Sequence, residues 1–110
     1  GIPFYTRLWC TTTNADGTTT VTSDALGMND AQQVLENNQA ESTWDETTQQ
    51  NYAQFESEDG ALYQIWLEDT KSLTKKLELI KNYNLAGVAE WKLGLEDDSV
   101  WDLIAKYISS

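Results

Sequence analysis

The chain has 110 residues, of which 40% are hydrophobic and 11% aromatic, enough for one folded domain and too many for a disordered segment. Its formal net charge is −11, and residues 8–70 contain no Lys or Arg, so phosphate backbones and anionic membranes would be repelled. We therefore expect no nucleic-acid partner and no membrane partner. Neither a membrane-spanning run nor a signal peptide is visible in the sequence.

The residue inventory excludes several chemistries. Without His the chain cannot form a Ser-His-Asp or Cys-His couple or a His-ligated zinc site, and its single Cys10 cannot close an internal disulfide. No D-x-D-x-D-G calcium loop and no phosphate-binding glycine loop occurs. We therefore expect no metal site and no cofactor in this chain.

Residues 1–10, GIPFYTRLWC, form a near-continuous apolar and aromatic run, which is typical of a strand buried on both faces in a parallel sheet. The stretch after it changes character. TTTNADGTTTVTS is β-branched and polar around Asp16-Gly17, which predicts a hairpin with a tight primed turn.

A short helix and three strands are predicted next. MNDAQQVLENN offers Asn29 as the N-cap, Gln32 at the capping-box position and a weak apolar face. AESTWDE, QNYAQFE and ALYQIWLE predict strands, the last two joined by a turn at residues 57–60. Because short turns join antiparallel strands, this zone is predicted to be a small antiparallel α+β unit.

The last third returns to alternating helix and strand. Asp69 is predicted to cap the helix TKSLTKKLELIKNYN, which ends at Asn84. LAGVAEW predicts a second short buried strand, and Asp97 or Asp98 is predicted to cap the final helix, SVWDLIAKYIS. With the middle zone set aside, a βαβα unit with a parallel strand pair remains.

Trp91 stands at the carboxyl end of the second strand, and Tyr5 and Arg7 lie near the end of the first. Binding groups of parallel α/β barrels project from such ends, so an indole there would form the floor of a pocket. An aromatic floor beside polar groups suits a sugar ring. The alternative is a core tryptophan packed under helices.

The two predicted parallel strands and their flanking residues resemble parts of a known enzyme family. GIPFYTR resembles the seventh barrel strand of glycoside hydrolase family 18, the chitinase-like TIM barrels, and LAGVAEWKLGLEDDSVWDLI resembles the eighth strand with its helix. Between those strands the family often carries a chitinase insertion domain, which matches the middle zone. The bacterial spore-germination, cortex-lytic branch is the most similar in character.

The resemblance implies roles for individual residues. Trp91 matches the family's eighth-strand tryptophan, the floor of the subsite that holds the sugar whose bond is cleaved. Tyr5 and Arg7 match the seventh-strand Tyr and Arg that contact the sugar. Tyr63 and Trp66, with Gln64 between them, are looser candidates for a groove wall formed by the insertion domain.

The sequence also departs from the family. Catalysis there rests on a D-x-x-D-x-D-x-E motif whose Glu is the general acid, while the substrate's own N-acetyl group acts as the nucleophile. That motif does not occur in this chain, and neither does the family's sixth-strand Tyr-Asp pair.

We therefore predict an α+β fold that is a partial TIM barrel, its last two βα units, with an inserted antiparallel α+β chitinase insertion domain. Residues 1–10 would be barrel strand 7, residues 11–68 the insertion domain, and residues 69–110 a helix, barrel strand 8 and the final helix. The resemblance implies the carboxy-terminal part of a glycosidase that hydrolyses β-1,4-linked N-acetylglucosamine polymers, chitin or peptidoglycan glycan; this part would contribute substrate-groove residues but not the catalytic acid, so it contains no catalytic residue. The expected partner is an N-acetylglucosamine-containing polysaccharide, the expected location is extracellular or at the cell envelope or spore, and the isolated chain should self-associate. The alternatives are a non-catalytic binding module from the same family and a degenerate member without an enzymatic role.

Overall fold

A computed structural model describes residues 1–108 of the chain. Its elements, in chain order, are β1 (Ile2–Pro3), β2 (Tyr5–Thr13), β3 (Thr19–Gly27), α1 (Met28–Asn37), β4 (Thr43–Asp45), β5 (Gln50–Glu56), β6 (Leu62–Leu67), α2 (Thr70–Tyr83), β7 (Glu90–Trp91) and α3 (Ser99–Ile108).

The predicted parallel strand pair is confirmed. β1 pairs with β7 in parallel, with Pro3 opposite Trp91. The Ile2 amide donates to the Ala89 carbonyl at 2.7 Å, and the Phe4 amide donates to the Trp91 carbonyl at 2.8 Å. The amino-terminal residues and the segment before α3 are thus aligned by a two-residue parallel pairing.

The prediction of a single buried strand over residues 1–10 is wrong in its length. The chain bends at Phe4, and β2 then runs to Thr13 in a different, antiparallel sheet. Phe4 is completely buried, whereas side chains along β2 are only half-buried or exposed, including Trp9. The apolar run therefore covers two strands in two environments: Phe4 lies in the core, Tyr5 is half-buried, and Trp9 is exposed.

The predicted second buried strand, LAGVAEW, is also too long. α2 ends at Asn84, which adopts the left-handed conformation with φ 52°. Residues 85–89 form no strand, Leu85 is exposed, and only Glu90 and Trp91 pair with β1. Two residues of pairing are enough to align the strands, and the rest of this segment is an irregular connection.

The middle zone forms a five-stranded antiparallel sheet in the order β3-β2-β6-β5-β4, which confirms the predicted antiparallel α+β unit. The β2–β3 hairpin is present, but its turn differs from the prediction. Asn14 and Thr18 close a three-residue loop in which Gly17 has φ 86°. This is the type I turn followed by a left-handed glycine, rather than a two-residue primed turn.

Two apolar clusters hold the chain together. One lies between α2, α3 and β1, and its buried members are Ile2, Phe4, Met28, Leu73, Leu77, Ile80, Val100 and Ile104. The other lies where α1 covers the sheet, and its buried members are Ala31, Leu35, Ala53, Ile65 and Leu67. Met28 is the first residue of α1 yet packs in the helical cluster, so it joins the two halves of the fold.

The helix caps agree with the sequence at α2 and differ at α1. Asp69 accepts a hydrogen bond from the Ser72 amide at 2.9 Å, and the Ser72 hydroxyl accepts one from the Asp69 amide, which completes a capping box. At α1 the predicted N-cap Asn29 is wrong. The helix begins two residues earlier, Gly27 occupies the cap, and no side chain caps it.

Among residues 1–108, no helix is long and apolar enough to cross a membrane.

The capping difference yields a matched pair of variants. Asp69→Ala removes a cap and should lower the free energy of unfolding by about 1 kcal/mol, whereas Asn29→Ala should change it by less than about 0.5 kcal/mol. Urea unfolding followed by circular dichroism measures both. Equal losses in the two variants would contradict the assignment of the caps.

Candidate saccharide site

A pocket opens where the parallel pair meets the antiparallel sheet. It has a volume of about 260 Å³. Its lining residues are Tyr5, Arg7, Ala25, Leu26, Gly27, Trp91 and Leu95. Three of the five predicted binding residues therefore lie at one pocket, although Trp91 is more than eighty residues from Tyr5 in sequence.

Tyr5 and Arg7 reach this pocket because of the bend at Phe4. Side chains alternate between the two faces of a strand, so Tyr5, Arg7 and Trp9 share one face of β2. The Arg7 guanidinium Nε donates to the Ser23 hydroxyl of the neighbouring strand at 2.9 Å. That bond holds the guanidinium along the sheet and leaves its terminal nitrogens available to a ligand.

Trp91 forms an exposed wall rather than part of the core. Its side chain is 66% exposed, so the alternative of a tryptophan packed under helices does not describe this structure. Its backbone carbonyl accepts a hydrogen bond from the Phe4 amide at 2.8 Å. An indole fixed by its backbone with its ring in solvent can stack on a flat ligand.

Trp66 shares the sheet face of Arg7 but does not line the pocket. It lies on β6 opposite Tyr52, with the two ring centroids 4.8 Å apart. Its indole N–H is buried without a hydrogen bond of normal geometry. The pKa of the neighbouring Asp45 lies below its usual value, through hydrogen bonds from Thr48 and Thr47 first and from Trp66 to a lesser degree.

Tyr63 points away from the pocket. It is three residues before Trp66 on β6, so strand alternation places it on the opposite sheet face. There it stacks on Phe55, with ring centroids 5.0 Å apart and planes 7° apart. A hydrogen bond with Cys10 raises the pKa of the Tyr63 hydroxyl above its ordinary value. The sequence grouped Tyr63 with Trp66 by proximity, and the strand geometry separates them.

Ala25, Gly27 and Leu95 line the pocket and were not identified from sequence. Ala25 pairs with Arg7, and Gly27 pairs with Tyr5, on the adjacent strand. Because Ala25 is small and Gly27 has no side chain, they leave the Arg7 and Tyr5 side chains uncovered. The register of the β2–β3 hairpin places them there. The predicted two-residue turn at Asp16-Gly17 would have placed Leu26 opposite Arg7, one residue out of register, so it could not have located them.

The charges around the pocket are sparse. Among the described residues, Arg7 is the charged group that lines it, and no Asp or Glu does. Glu90, next to Trp91 in sequence, lines a depression beside Trp101 and Ile104 of α3, and it also lines a neighbouring depression together with Tyr5 and Trp91. The pocket that contains Arg7 thus offers aromatic surface and hydrogen-bond donors, and its own lining contains no carboxyl group.

Three acids, Glu68, Asp69 and Asp97, line a second cavity of about 200 Å³ near the amino termini of α2 and α3. Glu68 there is buried, pairs with Lys76 and accepts from Gln50 and Ser72. Asp97 accepts from the Ser99 amide at 2.8 Å, and hydrogen bonds from Ser99 lower its pKa. These carboxylates are used in capping and pairing, and among residues 1–108 no cluster of side chains could hold a metal ion.

Comparisons with known proteins fit this geometry. The chain is 32% identical over 72 residues to the cortical fragment-lytic enzyme of Bacillus subtilis (strain 168), a match covering 66% of this chain and 17% of that protein. The spore cortex-lytic enzyme SleL of Bacillus megaterium QM B1551 superimposes with a TM-score of 0.80 at 26% identity, covering 96% of this chain and 24% of that one.

A plant class V chitinase mutant from Cycas revoluta, solved in complex with (GlcNAc)3, has the same fold, with a TM-score of 0.70 and 23% identity over 100% of this chain and 33% of that one. The chain thus spans between a sixth and a third of the length of these proteins. The family model of glycosyl hydrolases family 18 matches residues 1–96, and the chain belongs to that family.

Proposed function

We propose that this chain binds a β-1,4-linked N-acetylglucosamine polymer, such as chitin or peptidoglycan glycan, and supplies groove residues without the catalytic acid. One observation carries the proposal: Tyr5, Arg7 and Trp91 line a single pocket that no carboxyl group lines among the described residues. The intact protein would then be a glycosidase whose proton donor lies outside this chain.

The chemistry of the pocket supports a sugar ligand. An exposed indole offers a flat apolar surface to the C–H face of a sugar ring, and the Tyr5 hydroxyl and Arg7 guanidinium can hydrogen-bond its hydroxyl and N-acetyl groups. A polyanionic ligand is disfavoured because the chain carries a net charge of −11. A neutral polysaccharide fits both features.

The proposal includes the architecture of the parent protein. β1 and β7 would be the seventh and eighth strands of a TIM barrel, and the five-stranded sheet with α1 would be the insertion domain. The lytic enzymes and chitinases among its relatives support a place of action at the cell envelope or spore.

A non-catalytic binding module is the alternative from a different class. The absence of an acid from the pocket is compatible with it, because such a module needs only the groove. The sequence preceding residue 1 distinguishes the two: an intact D-x-x-D-x-D-x-E motif supports the glycosidase, and a lost or mutated motif supports the module.

The role of Trp91 is testable on this chain. Trp91→Ala should weaken binding of a tetramer of N-acetylglucosamine by about tenfold, which corresponds to about 1.4 kcal/mol of lost stacking. Isothermal titration calorimetry measures the affinity, and thermal melting checks the fold. Tyr83→Ala is the matched control, because Tyr83 is an exposed aromatic of similar accessibility, 72%, outside the pocket. Unchanged affinity in Trp91→Ala would refute the proposal that the Trp91 indole stacks on the sugar.

The chain alone should show no glycosidase activity on a fluorogenic N-acetylglucosamine oligomer. Protonating the leaving oxygen requires a carboxylic acid beside the scissile bond, and none lines the pocket in the part of the chain that is described. Glu90→Gln is the control, since Glu90 is the acid nearest in sequence to Trp91. Turnover that survives purification and disappears in that variant would overturn the claim that the acid lies elsewhere.

Self-association is also expected. Each strand of the two-stranded parallel sheet has a free edge in residues 1–108, and Leu85, Trp91 and Leu93 expose apolar surface nearby. Analytical ultracentrifugation should show a concentration-dependent increase in mass. A clean monomer at high concentration would mean that these edges do not pair.

A further inference from the structure

Gly27 and Met28 form the joint between the sheet, α1 and the loop that follows Trp91. The Met28 amide, at the uncapped start of α1, donates to the Leu95 carbonyl at 2.8 Å. The Asp97 amide approaches the Met28 sulfur at 3.3 Å. The loop after β7 therefore provides the hydrogen-bond acceptor, the Leu95 carbonyl, for the first amide of α1.

The glycine at position 27 is explained by space rather than by backbone conformation. Its φ of −68° and ψ of 172° are accessible to any residue. A Cβ at this position would lie 3.0 Å from the Leu95 carbonyl oxygen and 3.3 Å from the Leu95 Cα. Both are backbone atoms, so they could move away from a methyl group only if the loop moved.

That loop forms one wall of the pocket. The segment from Trp91 to Leu95 is short and turns on itself, with the Leu95 amide donating to the Lys92 carbonyl at 3.1 Å. Leu95 and Trp91 both line the pocket, opposite Tyr5 and Arg7 on the sheet. Four residues of chain thus connect the Leu95 carbonyl to the Trp91 indole.

We propose that Gly27 is a positioning residue of the saccharide site: its missing side chain lets the Leu95 carbonyl dock on the Met28 amide, and this docking sets the distance between the Trp91 wall and the Tyr5–Arg7 wall. The inference rests on the proposed saccharide function for its ligand. The docking itself depends only on the contacts of Gly27, Met28 and Leu95.

The test uses Gly27→Ala in the whole chain, with two readouts. Hydrogen exchange of the Met28 amide, followed by NMR, should become faster because its acceptor has been pushed away. Affinity for the N-acetylglucosamine tetramer should fall by about tenfold, as expected when binding groups shift by a fraction of an ångström. Gly87→Ala is the matched control, because a Cβ there meets no atom within 4 Å.

A second variant guards against misfolding of the first. Gly94 is exposed and has φ 102°, so Gly94→Ala strains the same loop from its solvent side without filling any contact at Gly27. It should reproduce both effects. Faster exchange with unchanged affinity would overturn the proposal, and weaker affinity with unchanged Met28 exchange would show that the methyl group acts on the ligand directly and would also overturn it.

Failure of the saccharide function is distinguishable from failure of the joint. If the unmodified chain binds no tetramer, the proposed function is wrong and the Trp91 indole N–H signal decides the positional claim. A shift of that signal in Gly27→Ala, absent in Gly87→Ala, supports the joint. An unshifted signal overturns it.

Discussion

The arrangement of the chain depends on the burial of Phe4 at the bend between two strands. Its ring is completely buried, meets the edge of Trp101 at 5.7 Å between centroids, and packs among the side chains of α2 and α3. Its amide donates to the Trp91 carbonyl. One residue thus fixes the end of the parallel pair and the start of the antiparallel sheet. Tyr5 and Arg7 face Trp91 because they follow Phe4 directly, and no contact between their own side chains is needed to bring them together.

Charge is separated from the pocket by the same architecture. Several acids have structural roles: Asp69 caps a helix, Glu68 is the buried partner of Lys76, and hydroxyl groups of threonine and serine lower the pKa of Asp16 and Asp59 in turns. The exposed carboxylates that accept such bonds stay ionised at neutral pH, and they are poor proton donors. The pocket retains aromatic rings and Arg7. A surface of this kind suits the neutral ligand of the proposed function.

The sequence predicted element types and order well, and it predicted strand ends poorly. Hydrophobic spacing located α2 and α3, and Asp69 and Asn84 marked the ends of α2 because capping is a local property. The bend at Phe4 could not be predicted, since GIPFYTRLWC has the composition of one strand and only tertiary packing divides it. Trp91 and Arg7 were identified through strand ends and family resemblance. The close approach of Gly27 to Leu95 could not be predicted, because the two residues are sixty-eight positions apart and their contact leaves no local sequence pattern.

Binding of an N-acetylglucosamine chain at the pocket beside the Phe4 bend is tested most directly by the indole N–H signals of the five tryptophans. In a titration of the isotopically labelled chain with the tetramer, the Trp91 signal should shift most. Trp44, which lies under the Lys71 ammonium at 4.0 Å, and Trp101, which packs on Phe4, should stay in place. Saturable shifts of the Trp91 signal alone, or of Trp91 together with Trp9 and Trp66, which share the sheet face of Arg7, would support binding at the pocket. Shifts confined to Trp44 or Trp101, or none at all, would contradict it.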